Sequence, residues 1–147
     1  MQFGPIFGSH VPLDLVCIML GTNDCNKDGA IEDQSIVNVL AEYKNKITKW
    51  SEQLSVISPN IMFIAPPLIR QVELSKNAGM LQIFGTDAEE KSKKLAPLYR
   101  SFCELEKLHF FDASQYCVAA ENEGIHLDEE NNSFLGAAIA TFIKKML

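Results

Sequence analysis

The sequence is short of positive charge, has no long hydrophobic run and carries no paired cysteines. Each shortage removes a class of function. Thirteen lysines and arginines stand against nineteen aspartates and glutamates, a net charge of −6. Phosphate binding needs clustered Lys and Arg, so no nucleic-acid partner is expected, and an anionic membrane surface is disfavoured on the same ground. The longest apolar run falls far short of the roughly 20 residues that cross a bilayer. The opening Met1-Gln2-Phe3-Gly4-Pro5 has no basic region of the kind that starts a secretory signal, so neither a membrane nor a targeting segment is expected. Four cysteines, Cys17, Cys25, Cys103 and Cys117, lie far apart with no CxxC spacing. A reduced, cytoplasmic setting follows as the expectation, with Cys17 and Cys103 read as small core residues inside apolar segments.

What is present is an ordinary globular composition, 47% hydrophobic and 22% charged, in 147 residues, enough for one domain with a real core. Leu13 to Leu20 is apolar on both faces apart from Asp14, as a parallel strand covered by helices on each side should be. A loop, Gly21 to Glu32, follows. Val37, Leu40, Tyr43, Ile47, Trp50, Leu54 and Ile57 then recur at helical spacing and predict a helix from about Asp33 to Ser58. Ile61 to Ala65 reads as a second buried strand, closed by Pro66-Pro67, and Arg70 to Gly85 as a long loop. Thr86 with Glu89, or Asp87 with Glu90, offers a capping box for the next helix. Its inward face is Leu95, Leu98, Tyr99, Phe102 and Leu105, and Pro97 predicts a kink or a late start. Leu108 to Asp112 is a third, shorter strand. A loop from Ala113 to Asp128 leads to a last helix with the stripe Phe134, Leu135, Ala138, Ile139, Phe142 and Ile143. Strands separated by helices imply a parallel sheet with right-handed crossovers.

Chemistry collects at two places. Leu13-Asp14-Leu15-Val16-Cys17-Ile18-Met19-Leu20-Gly21-Thr22-Asn23-Asp24 delivers Asn23 to a turn at the carboxyl end of a buried strand. Open α/β sheets place their sites at that end, and a carboxamide there can donate to a developing oxyanion. Near the other terminus, Glu123-Gly124-Ile125-His126-Leu127 sets an acid three residues before a histidine, a base with a partner to orient it. Asp24-Cys25-Asn26-Lys27-Asp28-Gly29-Ala30-Ile31 alternates oxygen ligands ahead of a glycine, as calcium loops do. Its twelfth position is Ser35 and a strand precedes it, so it reads as a solvated acidic loop capping the long helix.

The asparagine segment and the Glu-x-x-His segment, with Ala65-Pro66-Pro67 and Phe110-Phe111-Asp112-Ala113 between them, resemble signature blocks of the SGNH (GDSL-type) hydrolases, in particular the arylesterase and acyl-hydrolase branch. The resemblance runs from about Leu13 to the C-terminus. It implies a flavodoxin-like three-layer α/β/α fold with a parallel sheet in strand order 2-1-3-4-5, of which this chain holds about three strands, in one domain over residues 1–147 that lacks the first two. It also implies hydrolysis of a small-molecule carboxylic ester through an acyl-enzyme, with no metal or organic cofactor. His126 is then the base, Glu123 its orienting acid and Asn23 the oxyanion donor. Where the family has aspartate, this chain has Glu123, which leaves Asp128 and Asp112 as alternatives.

The family's Gly-Asp-Ser block is absent, and no Gly-x-Ser-x-Gly elbow replaces it. Ser9, in Phe7-Gly8-Ser9-His10, lies too close to the Leu13 strand to end a separate parallel neighbour, which needs a crossover of about a dozen residues. Two expectations follow. The chain by itself is inactive for want of a serine, the other reading being a non-catalytic binding or assembly module. The Leu13 strand, left as a sheet edge, drives homo-oligomerisation unless the missing segment covers it.

Overall fold

The computed structural model describes residues 3–146. Met1 and Gln2, which open the segment read as free of a targeting signal, lie outside it, as does Leu147. β1 (Leu15–Met19), β2 (Asn60–Ala65) and β3 (His109–Asp112) form one parallel sheet in the order β1-β2-β3. Ile18 stands opposite Phe63 across the first pair, and Phe63 opposite Phe110 across the second. β2 is the middle strand, with helices above and below, so Met62, Phe63 and Ala65 have no exposed surface. Full burial of such side chains stabilises the fold by about 1.5–3 kcal/mol each for the larger ones.

Two crossovers lie on one face of this sheet. α2 (Asp33–Gln53) carries the chain from β1 to β2; α5 (Ala88–Lys93) and α6 (Leu95–Glu106) carry it from β2 to β3. Ile36, Leu40 and Ile47 of α2 meet Leu95, Tyr99 and Phe102 of α6 over Ile18, Ile61 and Phe63. α7 (Glu129–Met146) covers the opposite face, where Leu135 is buried against Met62, Ile64 and Phe111. Three layers and a parallel sheet are what the sequence implies. No described helix is long and apolar enough to cross a membrane.

Several details depart from the sequence reading. α2 ends at Gln53, not near Ser58, because Ser55 turns into the left-handed region at φ 54°. Ile57, expected in the core stripe, is consequently 91% exposed, and Leu54 is also exposed. The Arg70–Gly85 segment holds α3 (Gln71–Leu74) and α4 (Ala78–Phe84), the latter capped by Asn77 Oδ1 accepting from the Met80 N–H at 3.1 Å. A short α1 (Phe3–Gly8) precedes β1 and buries Phe7. Neither capping box forms: Glu89 turns instead to the Gln71 N–H at 3.1 Å and to Lys93. The expected late start near Pro97 is seen as a break at Lys94, between α5 and α6. Proline in the first turn of α6 loses only an N–H that has no helical partner there.

Leu105 is exposed because it lies roughly 100° round α6 from the Tyr99, Phe102 and Cys103 face. Phe134 is exposed for the same reason, one position round α7 from Leu135. Cys17, read as core, is exposed: β1 is the sheet's edge, and of this strand the cluster under α7 takes in only Leu15. Cys103 is buried as expected.

Candidate active site

The end of β1 is held from beneath. The Tyr99 hydroxyl, buried in α6, donates to the Leu20 carbonyl at 2.9 Å. Burial, with Asp24 adding to it, pushes the Tyr99 phenol well above its ordinary range, so it stays a donor. Gly21 then turns with φ 110°, a conformation closed to most side chains, and a Cβ there would stand 3.0 Å from the Tyr99 oxygen. The chain continues as one 3₁₀ turn, Thr22–Cys25, closed by the Asp24 N–H on the Gly21 carbonyl at 3.1 Å. Cys25 plugs its underside, and burial raises that thiol to about 12. Asn23 is therefore left on top, exposed, its carboxamide making no hydrogen bond among the described residues.

His126 is positioned by a loop that is folded on itself. The Gly124 N–H donates to the Ala120 carbonyl at 2.8 Å, and the Ala120 N–H to the His126 carbonyl at 2.7 Å. Arg70 ties this loop to α3: its N–H meets the Gly124 carbonyl at 2.9 Å and its Nη1 meets the Ala119 carbonyl at 3.1 Å. Gly124 has φ 74°, and a Cβ there would lie 2.5 Å from the Arg70 carbonyl oxygen.

Within that frame Glu123 Oε1 accepts from the His126 backbone N–H and lies 2.6 Å from its Nδ1. A neutral imidazole facing a carboxylate through Nδ1 holds its proton there and keeps the Nε2 lone pair free. The Glu123 side chain is only 13% exposed, whereas the His126 ring is 72% exposed. The acid is thus set in the wall and the base stands out from it. The two other acids are engaged elsewhere. Asp112 accepts from the Ser114 N–H, the Ser114 hydroxyl and Gln115. Asp128 accepts from the Asn131 N–H and side chain, both at 2.8 Å, which hold its carboxyl below the usual range.

Asn23 and His126 line one open cleft of about 710 Å³, together with Gly21, Tyr43, Pro66 and Asn132. His126 also borders a second cleft of about 680 Å³ reaching Arg70, Glu121 and Asn131. The imidazole stands as a ridge between the two. No serine lines the first cleft. Ser9 donates to the Ile6 carbonyl at 2.8 Å beside His10, at the end of α1 where Gly8 approaches Leu54, which puts it at the amino end of the strands. In the acidic loop after Asn23, the Lys91 ammonium occupies the Asn26 carbonyl at 2.8 Å and pairs with Asp87.

Asn23, His126 and Glu123 were visible as residues in the sequence. Tyr99, Arg70 and Gly124, which set their positions, were not. Tyr99 read only as part of a core stripe, and a backbone carbonyl as hydrogen-bond partner leaves no trace in residue types.

No protein-family model matches the chain, and no curated protein matches it in sequence. Solved structures do. A carbohydrate acetylesterase from Sinorhizobium meliloti is 30% identical with a TM-score of 0.87, over 99% of this chain and 67% of its own length. The aryl esterase of M. smegmatis is 28% identical with a TM-score of 0.86, over the same shares. A GDSL-like lipase from Bacteroides thetaiotaomicron shares the fold at 22% identity, with a TM-score of 0.63 over 99% of this chain and 71% of the lipase. The chain spans about two thirds of the length of these structures.

Proposed function

The chain belongs to the SGNH (GDSL-type) hydrolases, and from that membership we propose that it carries the base, orienting acid and oxyanion donor of an ester hydrolase that works by acyl transfer. One observation carries the reading: a carboxylate-held imidazole and an unengaged carboxamide line the same cleft. In the proposed reaction a serine oxygen attacks the ester carbonyl as His126 Nε2 takes its proton. Glu123 keeps the ring in the Nδ1–H tautomer and stabilises the imidazolium. The Asn23 carboxamide donates to the carbonyl oxygen as it becomes negative, an interaction worth about 3–4 kcal/mol in comparable sites. Collapse of that intermediate expels the alcohol, protonated by His126, and water then releases the acid from the acyl-serine.

The substrate class we propose is a small acyl ester, an acetylated carbohydrate or an aryl ester, the acids and alcohols named for the two similar enzymes. With no serine lining the cleft, the 147 residues alone are proposed to be inactive. The test has two halves. A fluorophosphonate probe is expected to leave this chain unlabelled, and labelling of any serine would reject the inactivity. When the unmatched third of the Sinorhizobium enzyme is fused to this chain, p-nitrophenyl acetate hydrolysis is expected to appear and to vanish in His126→Ala. Hydrolysis that persists at full rate in that variant would reject His126 as the base, and a folded fusion that hydrolyses no ester would favour a sheet kept for binding over one kept for catalysis.

A further inference from the structure

We propose that Lys91 is a positioning residue for Asn23, acting through Asn26, and that α5 thereby braces the donor and base halves of the cleft against each other. A carboxamide stabilises an oxyanion well only if it is aimed before the charge develops. The Asn23 side chain makes no hydrogen bond among the described residues, so its aim is set by the backbone of its turn. Tyr99 holds the entry to that turn at the Leu20 carbonyl. Asn26 holds the exit. Its N–H and its Nδ2 both donate to the Asn23 carbonyl, at 3.3 and 2.8 Å, while its Oδ1 accepts from the Asp28 N–H at 2.9 Å. The Asn26 carbonyl in turn accepts from the Gly29 N–H at 3.0 Å and from the Lys91 ammonium at 2.8 Å. The alternating Asp24, Asn26 and Asp28 are thus organised about Asn26, with a lysine from far along the chain at its carbonyl.

Lys91 is suited to that hold. Its side chain is only 12% exposed, and Asp87 lies 3.2 Å from its ammonium. A carbonyl at the end of a helical turn favours a cation, and a charged donor bonds it more strongly than a neutral one. α5 gives the lysine a fixed base, since its Ala88 and Ser92 are buried. Ser92 Oγ accepts the Ile69 N–H at 3.1 Å and donates to the Glu89 carbonyl at 2.7 Å. Glu89 accepts the Gln71 N–H at 3.1 Å, and the Glu89 N–H donates to Gln71 Oε1 at 3.4 Å. Between Ile69 and Gln71 stands Arg70, which holds the Ala119 and Gly124 carbonyls of the base loop. One six-residue helix therefore reaches the oxyanion donor through Lys91 and the base through Glu89 and Ser92. The hold on the turn does not require an enzyme; only its effect on a rate rests on the proposed function.

The first test uses the whole chain and ¹⁵N spectra. Lys91→Met removes the charge and is expected to speed amide exchange at Asn26 and Gly29 about tenfold. It should also shift the Asn23 side-chain amide signals and leave the His126 ring signals in place. Lys91→Arg, which keeps a charged donor, is expected to restore both. Asn26→Ala, at a partly exposed position, keeps the ammonium and cuts the Nδ2 bond; it is expected to shift the same Asn23 signals. Asn23 signals unmoved in Lys91→Met, or in Asn26→Ala should the lysine variant not fold, would overturn the proposal. The second test uses the fused enzyme. There Lys91→Met is expected to lower kcat about tenfold with KM nearly unchanged, and to have no further effect once Asn23→Ala is present. An equal loss in both backgrounds would overturn the positioning role, because a merely structural residue acts whether or not Asn23 is there. Spectra that change as expected in a fusion that hydrolyses no ester would support the hold on the turn and reject the catalytic reading.

Discussion

Glu123 and His126 are joined twice through one oxygen: Oε1 of the acid accepts the backbone N–H of the histidine and lies 2.6 Å from its ring Nδ1. The backbone bond fixes the carboxylate, and the carboxylate then fixes the ring. A glutamate suits this geometry because the side chain, buried in the loop wall, must curl back over three residues. Glu123→Gln is expected to lower the share of the Nδ1–H tautomer of His126, read from ¹⁵N shifts of the ring. In the fused enzyme of the proposed function it should reduce kcat by about 10²–10⁴. An unchanged tautomer would show that the contact does not orient the base.

Gly124 allows the loop to close on Arg70. Its positive φ and the 2.5 Å that would separate a Cβ from the Arg70 carbonyl oxygen leave no room for a side chain. Gly124→Ala is expected to cost about 1–3 kcal/mol in urea unfolding, and to move the His126 ring resonances with it. A variant as stable as the parent would mean the loop closes in some other way.

Tyr99→Phe removes one hydroxyl and leaves the Leu20 carbonyl, on a half-exposed residue, without its donor. The expected cost is about 0.5–1.5 kcal/mol. Amide exchange should quicken at Asp24, whose N–H closes the Gly21 turn. Loss of stability without faster exchange there would separate the packing of the Tyr99 ring from any hold on the turn.

Acid should weaken the fold through its paired carboxylates. The hydrogen bond from Lys76 to Glu73, those from Lys93 and the Gln71 N–H to Glu89, and those from Asn131 to Asp128 all depress the acid's pKa in the folded state. A depressed folded pKa contributes stability that is present above the unfolded value, near 4.5 for the glutamates and 3.8 for the aspartate. That stability is lost as pH falls from there through the folded value. Melting temperatures are therefore expected to decline below about pH 4.5, and Glu89→Gln to decline less steeply than the parent over the same range. Equal slopes would show that Glu89 takes no part in the acid transition.

Much of this molecule was legible in one dimension. Period-two and period-3.6 patterns depend on local burial, so the three strands, the long helix before β2 and the amphipathic helices after it stood out. Asn23 was legible as a residue at a strand's end, and Glu123 and His126 as a pair three residues apart on one loop. The misplaced residues share a cause. Cys17, Leu105, Ile57 and Phe134 are apolar residues that hydrophobicity alone assigns to the core, whereas exposure follows from a sheet edge at Cys17, from the side of the helix at Leu105 and Phe134, and from the early end of α2 at Ile57.

Sequence alone determined the order of strands and helices, the acid–base spacing and the absence of a Gly-Asp-Ser block. Only the tertiary structure decided that Asn23 and His126, 103 positions apart in the chain, line one cleft, and that Glu123 rather than Asp112 or Asp128 meets the ring. The division follows from range. Periodicity and spacing report neighbours along the backbone, whereas a shared cleft depends on parallel strands ending at the same edge of the sheet and on carbonyls, such as those of Leu20 and Gly124, that every residue carries alike.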